Sequence, residues 1–309
     1  MSSQKNQQIR RKRLVISGGG TFIARHLVKK LDINKYDIVI VMRRTPEEKL
    51  QMEGVRYIAL DMEEYRNFDR YIDRCDYYLP FAWAGTRRED RNNQQINEKS
   101  YRCILASIKT LIQKCGCTKV IIPGTFAEYK NQYVLIDETT VCEPELAYGK
   151  YKYQLYKDVS ALCKENGITF IEVRLFSVYG ADDNDSKMIN SIFRKMLKNE
   201  EIAVTRAEHI WDFVHVDDVA EAFVKLMESE VVSGCYNVAT MDHRTLKSYF
   251  EEMKKLAGSS SKLLYGAIPY EGDQIPHVIS DTRKILRSVN WKPRISFEKG
   301  IQEMIRSYK

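Results

Sequence analysis

The chain has 309 residues, 44% of them hydrophobic, which is enough for one large core with or without a small appended lobe. Its formal net charge is +7, and five of the positive charges lie in a short polar N-terminal stretch, at Lys5, Arg10, Arg11, Lys12 and Arg13. Because the remainder is near neutral, we expect no nucleic-acid partner. The sequence contains no run of about 20 apolar residues, so we also expect no membrane span and a soluble protein.

Residues 1–13 are predicted to form a disordered basic tail rather than a signal peptide, because they contain no apolar segment. The seven cysteines are an odd number spread over predicted helices and strands, which indicates reduced thiols and a cytoplasmic location. Cys115 and Cys117 lie close together, but no second pair of cysteines or histidines stands at ligand spacing. We therefore predict no metal site.

The first predicted strand, at 14–17, leads through three glycines into a predicted helix near 22–31. Glycine adopts positive φ easily and lets the backbone approach a pyrophosphate, which then binds the N–H groups at the helix start. Thr21 and Ala24 replace two glycines of a G-x-x-G-x-x-G motif, so an ordinary glycine-rich turn is the alternative. The predicted dinucleotide-binding turn consists of Gly18, Gly19, Gly20, Thr21, Phe22 and Ile23.

The second predicted strand, at 37–42, is followed by Arg43 and Arg44. An enzyme that uses NAD usually has an acidic residue here, because a carboxylate binds the ribose hydroxyls and repels a 2′-phosphate. Arginine pairs with that phosphate instead. The two arginines therefore favour NADP(H) over NAD(H) as cofactor, and the alternative is that they are solvated turn residues.

Strands are further predicted near 55–60, 77–81, 119–123 and 169–175, and helices near 65–73, 93–114 and 148–166. This alternation predicts an α/β fold with a doubly wound parallel sheet of the Rossmann type. The polar segment 181–186 marks a predicted domain boundary. We predict that the Rossmann domain covers 14–180 and 212–240, and that a smaller, discontinuous C-terminal substrate lobe covers 181–211 and 241–309.

Tyr148 and Lys152 are spaced Tyr-x-x-x-Lys, which a helix places one turn apart on one face. An ammonium beside a phenol favours phenolate and brings the tyrosine pKa, ordinarily about 10, towards the range of proton exchange with a carbonyl or alcohol. Tyr153 and Lys157 have the same spacing, so the pair alone does not identify a site. In a parallel sheet, however, the carboxyl ends of the strands form the ligand crevice, and Thr125 ends the fifth predicted strand.

With Thr125, the Tyr148 pair resembles the hydroxyl, tyrosine and lysine triad of the short-chain dehydrogenase/reductase superfamily, in its extended branch, the NAD-dependent epimerase/dehydratase family. That arrangement selects Tyr148 over Tyr153. Later segments resemble signatures of the same family in the expected order, at 174–180, 212–220, 235–238 and 291–294, with Asp281 before the last. Ser177 stands where the family usually has asparagine.

The resemblance implies that Tyr148 exchanges a proton with a sugar carbonyl or hydroxyl while hydride passes to or from the nicotinamide. Thr125 would hydrogen-bond the same oxygen, and Lys152 would orient the nicotinamide ribose and lower the Tyr148 pKa. Asn97 is implied to support the lysine site, with a polar helix-surface residue as the alternative. The implied cofactor residues beyond the glycine turn are Arg43, Arg44, Asp61 at the adenine, Met62, Phe81, Ala82, Tyr148 and Lys152. The implied substrate residues are Trp83, Phe126, Ser177, Arg206, Trp211 and Arg283.

Departures from the family pattern narrow the predicted reaction. Dehydratases of the family have an acidic pair after the hydroxyl residue, but this chain has Phe126 and Ala127 there. Ala127 also stands where epimerase-reductases that make fucose-type sugars have a cysteine. Two reactions remain: reduction of a 4-keto sugar, which Arg43 favours, and 4-epimerisation of a nucleotide sugar with a retained NAD.

The implied substrate is a nucleotide-linked sugar, although Trp211 and Tyr270 stand where family members often have arginines that grip the pyrophosphate. Candidate replacements are the cations Arg206, Arg283 and the cluster of Arg87, Arg88 and Arg91, because a pyrophosphate needs cationic donors. A smaller carbonyl compound without a nucleotide is the alternative substrate.

Two further expectations follow from the resemblance. Family members commonly dimerise through two long helices, here near 93–114 and 148–166, so we expect a homodimer. Some relatives of the fold bind NADP(H) without turnover, as redox sensors or partner-binding modules. The intact set of Thr125, Tyr148 and Lys152 argues against such a sensor, which needs no positioned proton donor.

Overall fold

The computed structural model describes residues 10–130, 134–184, 187–270 and 277–308. Its strands in chain order are β1 (Lys12–Ser17), β2 (Tyr36–Met42), β3 (Val55–Ala59), β4 (Tyr77–Pro80), β5 (Lys119–Thr125), β6 (Leu135–Ile136), β7 (Thr169–Leu175), β8 (Ser177–Tyr179), β9 (Ile202–Val204), β10 (Ile210–Trp211), β11 (Phe213–His215), β12 (Gly234–Val238), β13 (Arg244–Thr245), β14 (Leu263–Tyr265) and β15 (Ile279–Ser280). Its α-helices are α1 (Phe22–Lys30), α2 (Gln94–Cys115), α3 (Ala147–Glu165), α4 (Met188–Leu197), α5 (Val216–Glu228), α6 (Leu246–Leu256), α7 (Arg283–Val289) and α8 (Phe297–Ser307). Short 3₁₀ helices cover Glu48–Leu50, Met62–Arg70 and Phe126–Glu128.

Seven strands form the central sheet in the order β12-β7-β5-β4-β1-β2-β3. Every neighbouring pair is parallel. The chain builds outward from β1 to β3 and then returns to β4 on the other side of β1, so the direction of winding changes between β1 and β4. Such a switch point opens a crevice at the carboxyl ends of the strands. The predicted doubly wound α/β fold is confirmed.

The side chains of β1 alternate between two layers that cover the sheet. Leu14 and Ile16 are buried in the layer that contains α1 and α5, whereas Val15 is buried in the layer that contains α2 and α3. Burial on both faces explains why the central strands are nearly continuous runs of valine, isoleucine and leucine. This pattern is what allowed the strands to be predicted from the sequence.

Two elements differ in extent from the sequence prediction. β1 begins at Lys12, because the Arg13 guanidinium pairs with Asp37 at 2.7 Å and ties this end of the strand to β2. Residues 1–9 of the predicted tail lie outside the described residues. The helix predicted near 65–73 is the 3₁₀ segment Met62–Arg70, which Asn67 interrupts with φ −105° and ψ 22°.

A third apolar cluster packs α4, α6 and α8 against β9 and β11 and forms the core of a smaller lobe. Part of the segment 241–309, which was predicted to belong to this lobe, lies elsewhere. Ile285 of α7 and Trp291 are buried in the core of the sheet instead, where the Trp291 indole N–H donates to the Asp218 carbonyl at 3.0 Å. In the described part of the chain, no helix combines the length and apolar character that a bilayer crossing requires.

Candidate active site

A cavity of about 810 Å³ opens at the carboxyl ends of the sheet strands, where α1, α3 and α4 meet. Eleven of the predicted site residues line it: Thr21, Phe22, Ile23, Phe81, Trp83, Thr125, Phe126, Tyr148, Lys152, Ser177 and Trp211. Of the described residues predicted for the site, those outside the lining are Gly18, Gly19, Gly20, Arg43, Arg44, Asp61, Met62, Ala82, Arg206 and Arg283. The structure thus brings the three predicted catalytic residues into one cavity.

The glycine turn, which the sequence predicts to bind the cofactor, lies directly before α1. Gly18 has a φ of +74°, and a Cβ on it would lie 2.4 Å from the backbone nitrogen of Ala82. A Cβ on Gly19 would lie 2.1 Å from Cγ2 of Ile40. Thr21 is the N-cap of α1, and its buried Oγ1 has no hydrogen-bond partner among the described residues. A side-chain-free turn before an uncapped helix start fits the pyrophosphate of a dinucleotide.

The residues predicted at the adenosine end follow the next two strands of the sheet. Arg43 and Arg44 come directly after β2, are exposed, and form no ion pair with the residues that the structure describes. The Leu60 N–H donates to the Met42 carbonyl at 2.9 Å, which places Asp61 at the same edge of the sheet. The two arginines are therefore available to a phosphate at this edge.

Tyr148 lies on α3 and faces the cavity beside Thr125 at the end of β5. Burial raises the pKa of Tyr148 above its ordinary value, while the charge of Arg91 and the Thr125 hydroxyl act in the opposite direction. The Arg91 guanidinium carbon is 5.7 Å from the centroid of the Tyr148 ring. The sequence predicted Lys152 as the cation that lowers this pKa, but Arg91 is the cation that does so in the structure.

Lys152 is buried one turn further along α3, and its Nζ donates to the Pro123 carbonyl at 2.9 Å. The ammonium lies 4.1 Å from the centroid of the Trp83 ring and 6.0 Å from that of Tyr148. Burial lowers the pKa of Lys152 to about 8, although the charges of two buried glutamates oppose this shift. The ammonium therefore begins to lose its proton not far above neutral pH.

Asn97 is fully buried near the start of α2 and contacts the loop that covers Lys152. Its Oδ1 accepts a hydrogen bond from the Trp83 indole at 2.9 Å. Its Nδ2 donates to the carbonyls of Asp90 at 3.0 Å and Asn93 at 2.9 Å. Because it is buried, Asn97 is no helix-surface residue. Its two Nδ2 bonds hold the amide in place, and its Oδ1 bond orients the Trp83 ring over the lysine.

Aromatic side chains form the opposite wall of the cavity. Phe126 stacks on Phe176 with ring centroids 5.6 Å apart and meets the Trp211 ring edge-on at 6.0 Å. The Trp211 indole N–H donates to the Ser177 Oγ at 2.7 Å. Ser177 and Trp211 both depart from the family pattern, and the structure joins them in one hydrogen bond.

Arg206 and Arg283, predicted to bind substrate, lie outside the cavity lining. The Arg206 guanidinium is exposed and lies 3.4 Å from the Glu208 carboxylate. The Arg283 guanidinium pairs with Asp281 at 2.5 Å. Each arginine is paired with an acidic residue two positions away, so the structure does not bring either cation to the site.

Other cations do line the cavity. Arg87 and Arg91 of the predicted arginine cluster are on one side, whereas Arg88 is not part of the described lining. Lys187, the N-cap of α4, lines the cavity from the lobe. Burial lowers the pKa of Lys187, and the charge of Arg91 lowers it further, whereas the charge of Asp183, which also lines the cavity, raises it. The sequence prediction missed Lys187, which lies in a polar segment without any motif.

Asn190 on α4 was also missed by the sequence prediction. It is fully buried and lines the cavity, and its Nδ2 donates to the Gly180 carbonyl at 3.0 Å. Its Oδ1 has no hydrogen-bond partner among the described residues. A buried orphan acceptor of this kind favours a ligand that brings a hydrogen-bond donor.

The loop that follows β8 is linked to α1 by hydrogen bonds and ion pairs. The Arg25 guanidinium donates to the Asp182 carboxylate at 2.9 Å. His26 lies between Asp217 and Asp182, with 2.7 Å from each ring nitrogen to a carboxylate oxygen. Burial opposes protonation of His26, but the hydrogen bonds to both carboxylates raise its pKa. An ion pair thus fixes this wall of the cavity against α1.

Residues 14–239 match the model of the NAD dependent epimerase/dehydratase family. The chain therefore belongs to this family, as the triad and the later motifs predicted, and it is an enzyme of the extended short-chain dehydrogenase/reductase type.

The chain is 32% identical over 303 residues to the CDP-abequose synthase of Salmonella typhimurium (strain LT2), a match that covers 95% of this chain and 97% of the relative. It is 25% identical over 304 residues to the CDP-abequose synthase of Salmonella muenchen, with the same coverage. Its fold resembles that of UDP-glucose 4-epimerase from Thermotoga maritima, with a TM-score of 0.83, 24% identity, and coverage of 96% of this chain and 98% of that one. These relatives are enzymes that modify nucleotide sugars.

Proposed function

We propose that the protein reduces a nucleotide-linked 4-keto sugar with NADPH. The observation that carries this proposal is the shared placement of Thr125 and Tyr148 in the cavity, without an accessible acid in the turn that follows Thr125. The one carboxylate of that turn, Glu128, is fully buried and is not part of the described lining. Elimination of water needs an acid or base that reaches the sugar, so the site favours interconversion of a ketone and an alcohol.

The chemistry follows from the positions of these side chains. Bound NADPH supplies the hydride that the carbonyl carbon receives. The Tyr148 hydroxyl gives its proton to the carbonyl oxygen, Thr125 donates a hydrogen bond to the same oxygen, and solvent returns a proton to the phenolate. Because burial raises the pKa of Tyr148, the phenol is protonated at neutral pH and acts as a donor in the direction of reduction.

The preference for NADP(H) over NAD(H) is part of the proposal, and Arg43 supports it. Arg43→Asp is expected to lower the NADPH affinity at least tenfold and to reverse the NADPH/NADH preference, because a carboxylate repels the 2′-phosphate that the guanidinium pairs with. Fluorescence titration with both cofactors measures the ratio. Arg102→Asp makes the same charge change on an exposed residue of α2 and is expected to leave the ratio unchanged. An unchanged ratio in Arg43→Asp would show that the arginine is a solvated turn residue.

We further propose that Arg91 and Lys187 hold the diphosphate of the substrate in place of the arginines that Trp211 and Tyr270 replace. Both cations line the cavity, and Arg91 has a buried Nε without a partner among the described residues. Two cations that repel each other in a partly buried site are stabilised by an anion between them. The CDP-abequose synthases among the relatives make a CDP-linked sugar the first substrate to test.

Lys187→Met is expected to raise KM for the nucleotide sugar about tenfold or more, with kcat changed less than threefold, because the lost charge-assisted contact lies away from the reacting carbon. Steady-state kinetics at saturating NADPH measures both constants. Lys195→Met, which changes an exposed lysine on the same helix, is the matched control. A fall in kcat with no change in KM would assign Lys187 to the chemistry instead.

The first experiment is to denature the purified protein and to identify any nicotinamide that it releases. Substoichiometric NADP(H) or none supports a reductase that exchanges its cofactor, and a screen of CDP-, dTDP- and UDP-linked 4-keto sugars for NADPH oxidation then follows. Near-stoichiometric NAD would support a 4-epimerase with a retained cofactor. Binding of NADPH without turnover of any carbonyl compound would support a sensor.

The assembly and location of the enzyme are also proposals. We propose a homodimer formed through α2 and α3, as the family resemblance implies, and equilibrium sedimentation tests it. A cytoplasmic location is supported by the cysteines, all seven of which are free thiols in the structure.

A further inference from the structure

A buried cluster of charged side chains lies beneath the active site and has no role in the chemistry described above. Glu128, Glu172 and Arg174 are 0%, 0% and 2% exposed. The Arg174 Nε lies 2.8 Å from Oε2 of Glu172 and 3.4 Å from Oε2 of Glu128. Burying such ions costs more free energy than burying apolar side chains of similar size, so the cluster calls for an explanation in function.

Glu128 and Glu172 share the guanidinium of Arg174. Their carboxyl oxygens that accept no hydrogen bond indicate where a proton lies. Oε2 of Glu128 and Oε1 of Glu172 accept no hydrogen bond from the described residues, and Oε2 of Glu128 has only its 3.4 Å ion-pair contact with Arg174. Burial raises the pKa of both groups, and the charge of Glu128 raises that of Glu172 further. One proton shared by the two carboxyl groups would leave a single negative charge for Arg174 to balance, and Glu172, whose pKa is raised further, is the group expected to hold it.

The cluster contacts the backbone that carries the catalytic hydroxyl. Oε1 of Glu128 accepts a hydrogen bond from the Thr125 N–H at 2.8 Å, and the Thr125 Oγ1 accepts one from the Ala127 N–H at 3.3 Å. A Cβ on Gly124 would lie 2.7 Å from Cγ of Glu172, so the carboxyl groups pack directly on the end of β5. This contact fixes Thr125 from behind.

The cluster also acts on Lys152. Burial is the main influence on that lysine and lowers its pKa to about 8, while the charge of Glu128 raises it. The titratable and charged groups around Lys152 come from α3, with Tyr148; from the turn after β5, with Glu128; and from β7, with Glu172 and Arg174. The ammonium would thus lose its proton at still lower pH without Glu128.

We propose that Glu128 is a positioning residue for the catalytic pair. Its carboxylate, held by Arg174, fixes the Thr125 backbone and places a buried negative charge beside the end of β5, where the Pro123 carbonyl accepts a hydrogen bond from the Lys152 ammonium. The proposal rests on the proposed function only where turnover is measured. NADPH affinity is a separate measurement, because Lys152 is also expected to contact the cofactor ribose.

Two isosteric variants separate the charge of Glu128 from its hydrogen bond. In Glu128→Gln the amide oxygen still accepts from Thr125, but the negative charge that balances Arg174 passes to Glu172, which acts less on Lys152. We therefore expect the alkaline loss of NADPH affinity and of kcat to move to lower pH by about half a unit or more. In Glu172→Gln the amide replaces a neutral acid, so we expect both pH profiles to match those of the unaltered protein. Equal profiles in all three proteins, or an equal shift in both variants, would overturn the proposal.

A control and a second measurement keep the test independent of folding and of the substrate. Glu138→Gln alters another partly buried glutamate that accepts a backbone N–H, from Asn237 at 2.8 Å, and is expected to leave both profiles unchanged. Infrared spectra of the unaltered protein at neutral pH are expected to contain a protonated-carboxyl band that Glu172→Gln removes. A missing band would overturn the proposed proton on Glu172. If no nucleotide sugar is turned over, the proposed function fails, while NADPH affinity and the infrared band still report on the cluster.

Discussion

Tyr148→Phe is expected to lower kcat for reduction by about 10²- to 10⁴-fold, which is the usual contribution of a positioned general acid. The variant keeps the aromatic ring, so the edge-on contact with Trp83, at 6.3 Å between centroids, remains, and with it the wall beside Lys152. NADPH affinity should therefore stay within about twofold, because the lost hydroxyl serves the substrate oxygen. Single-turnover kinetics at saturating substrate and cofactor measures the chemical step directly.

Tyr153→Phe is the matched control, because Tyr153 lies on the same helix and has its own lysine four residues later. The Lys157 Nζ lies 5.0 Å from the centroid of the Tyr153 ring, so the two pairs resemble each other in local geometry. Tyr153 is not part of the described cavity lining, and its variant should retain full kcat. Loss of turnover in Tyr153→Phe, or its survival in Tyr148→Phe, would contradict the assignment.

The raised pKa of Tyr148 favours reduction over oxidation at this site. A phenol that is protonated at neutral pH is ready to donate, whereas oxidation of a sugar hydroxyl begins with phenolate as the base. The rate of reduction should therefore be constant through neutral pH and fall at alkaline pH, first as Lys152 loses its proton near its pKa of about 8 and then as Tyr148 loses its own. A 4-epimerase needs both a phenol that donates and a phenolate that accepts within one turnover.

Local patterns allowed much of this structure to be predicted from the sequence. β1, β2 and β5 contain apolar runs, and a sheet that is buried on both faces needs such runs. The helical spacing of Tyr148 and Lys152 placed them on one face, and the end of β5 placed Thr125 beside them. Each of these inferences uses residues close together in the chain or a rule that holds for every parallel sheet.

The cations of the site could not be predicted in this way. The sequence indicates that a diphosphate needs replacements for two arginines, but not which cations the fold brings inward. Arg206 and Arg283 are paired with acidic residues two positions away, whereas Arg91 reaches the cavity from the loop before α2 and Lys187 from the start of α4. Their meeting depends on how the lobe packs against the sheet, and no local pattern encodes that.

The role of Glu128 could not be predicted from local sequence patterns either. In the sequence, Glu128 is one more acidic residue after Thr125, the predicted catalytic threonine. Only Phe126 and Ala127 were used to predict the reaction. Its role depends on Arg174, which lies 46 positions later in the chain and reaches it only because β5 and β7 are neighbours, with Gly124 opposite Arg174 in the register. A strand pairing thus turns three unremarkable residues into a buried charge cluster.

Arg174→Met is expected to lower the free energy of unfolding at neutral pH by about 3–5 kcal/mol, because it leaves a buried carboxylate without its cation. Methionine keeps most of the contact with the rings of Tyr129 and Tyr156, whose centroids lie 4.6 and 5.1 Å from the guanidinium carbon, so the effect reports mainly on charge. Arg102→Met removes an exposed arginine that pairs with Glu98 at 2.5 Å, and this control should cost about 1 kcal/mol or less. Urea unfolding compares the three proteins.

The pH dependence of the stability lost in Arg174→Met tests whether the unpaired buried charge causes the loss. Without Arg174, the folded-state pKa values of Glu128 and Glu172 lie further above the unfolded value of about 4.3, so the folded state takes up protons. A group whose pKa is raised on folding contributes stability at low pH and loses it as pH rises. The deficit of Arg174→Met should therefore be small below the unfolded value and should grow as pH rises through the acidic range. Adding Glu128→Gln to Arg174→Met removes the unpaired charge and should restore part of the stability at neutral pH. A deficit that is equal at all pH values would mean that lost packing, rather than the buried charge, destabilises the variant.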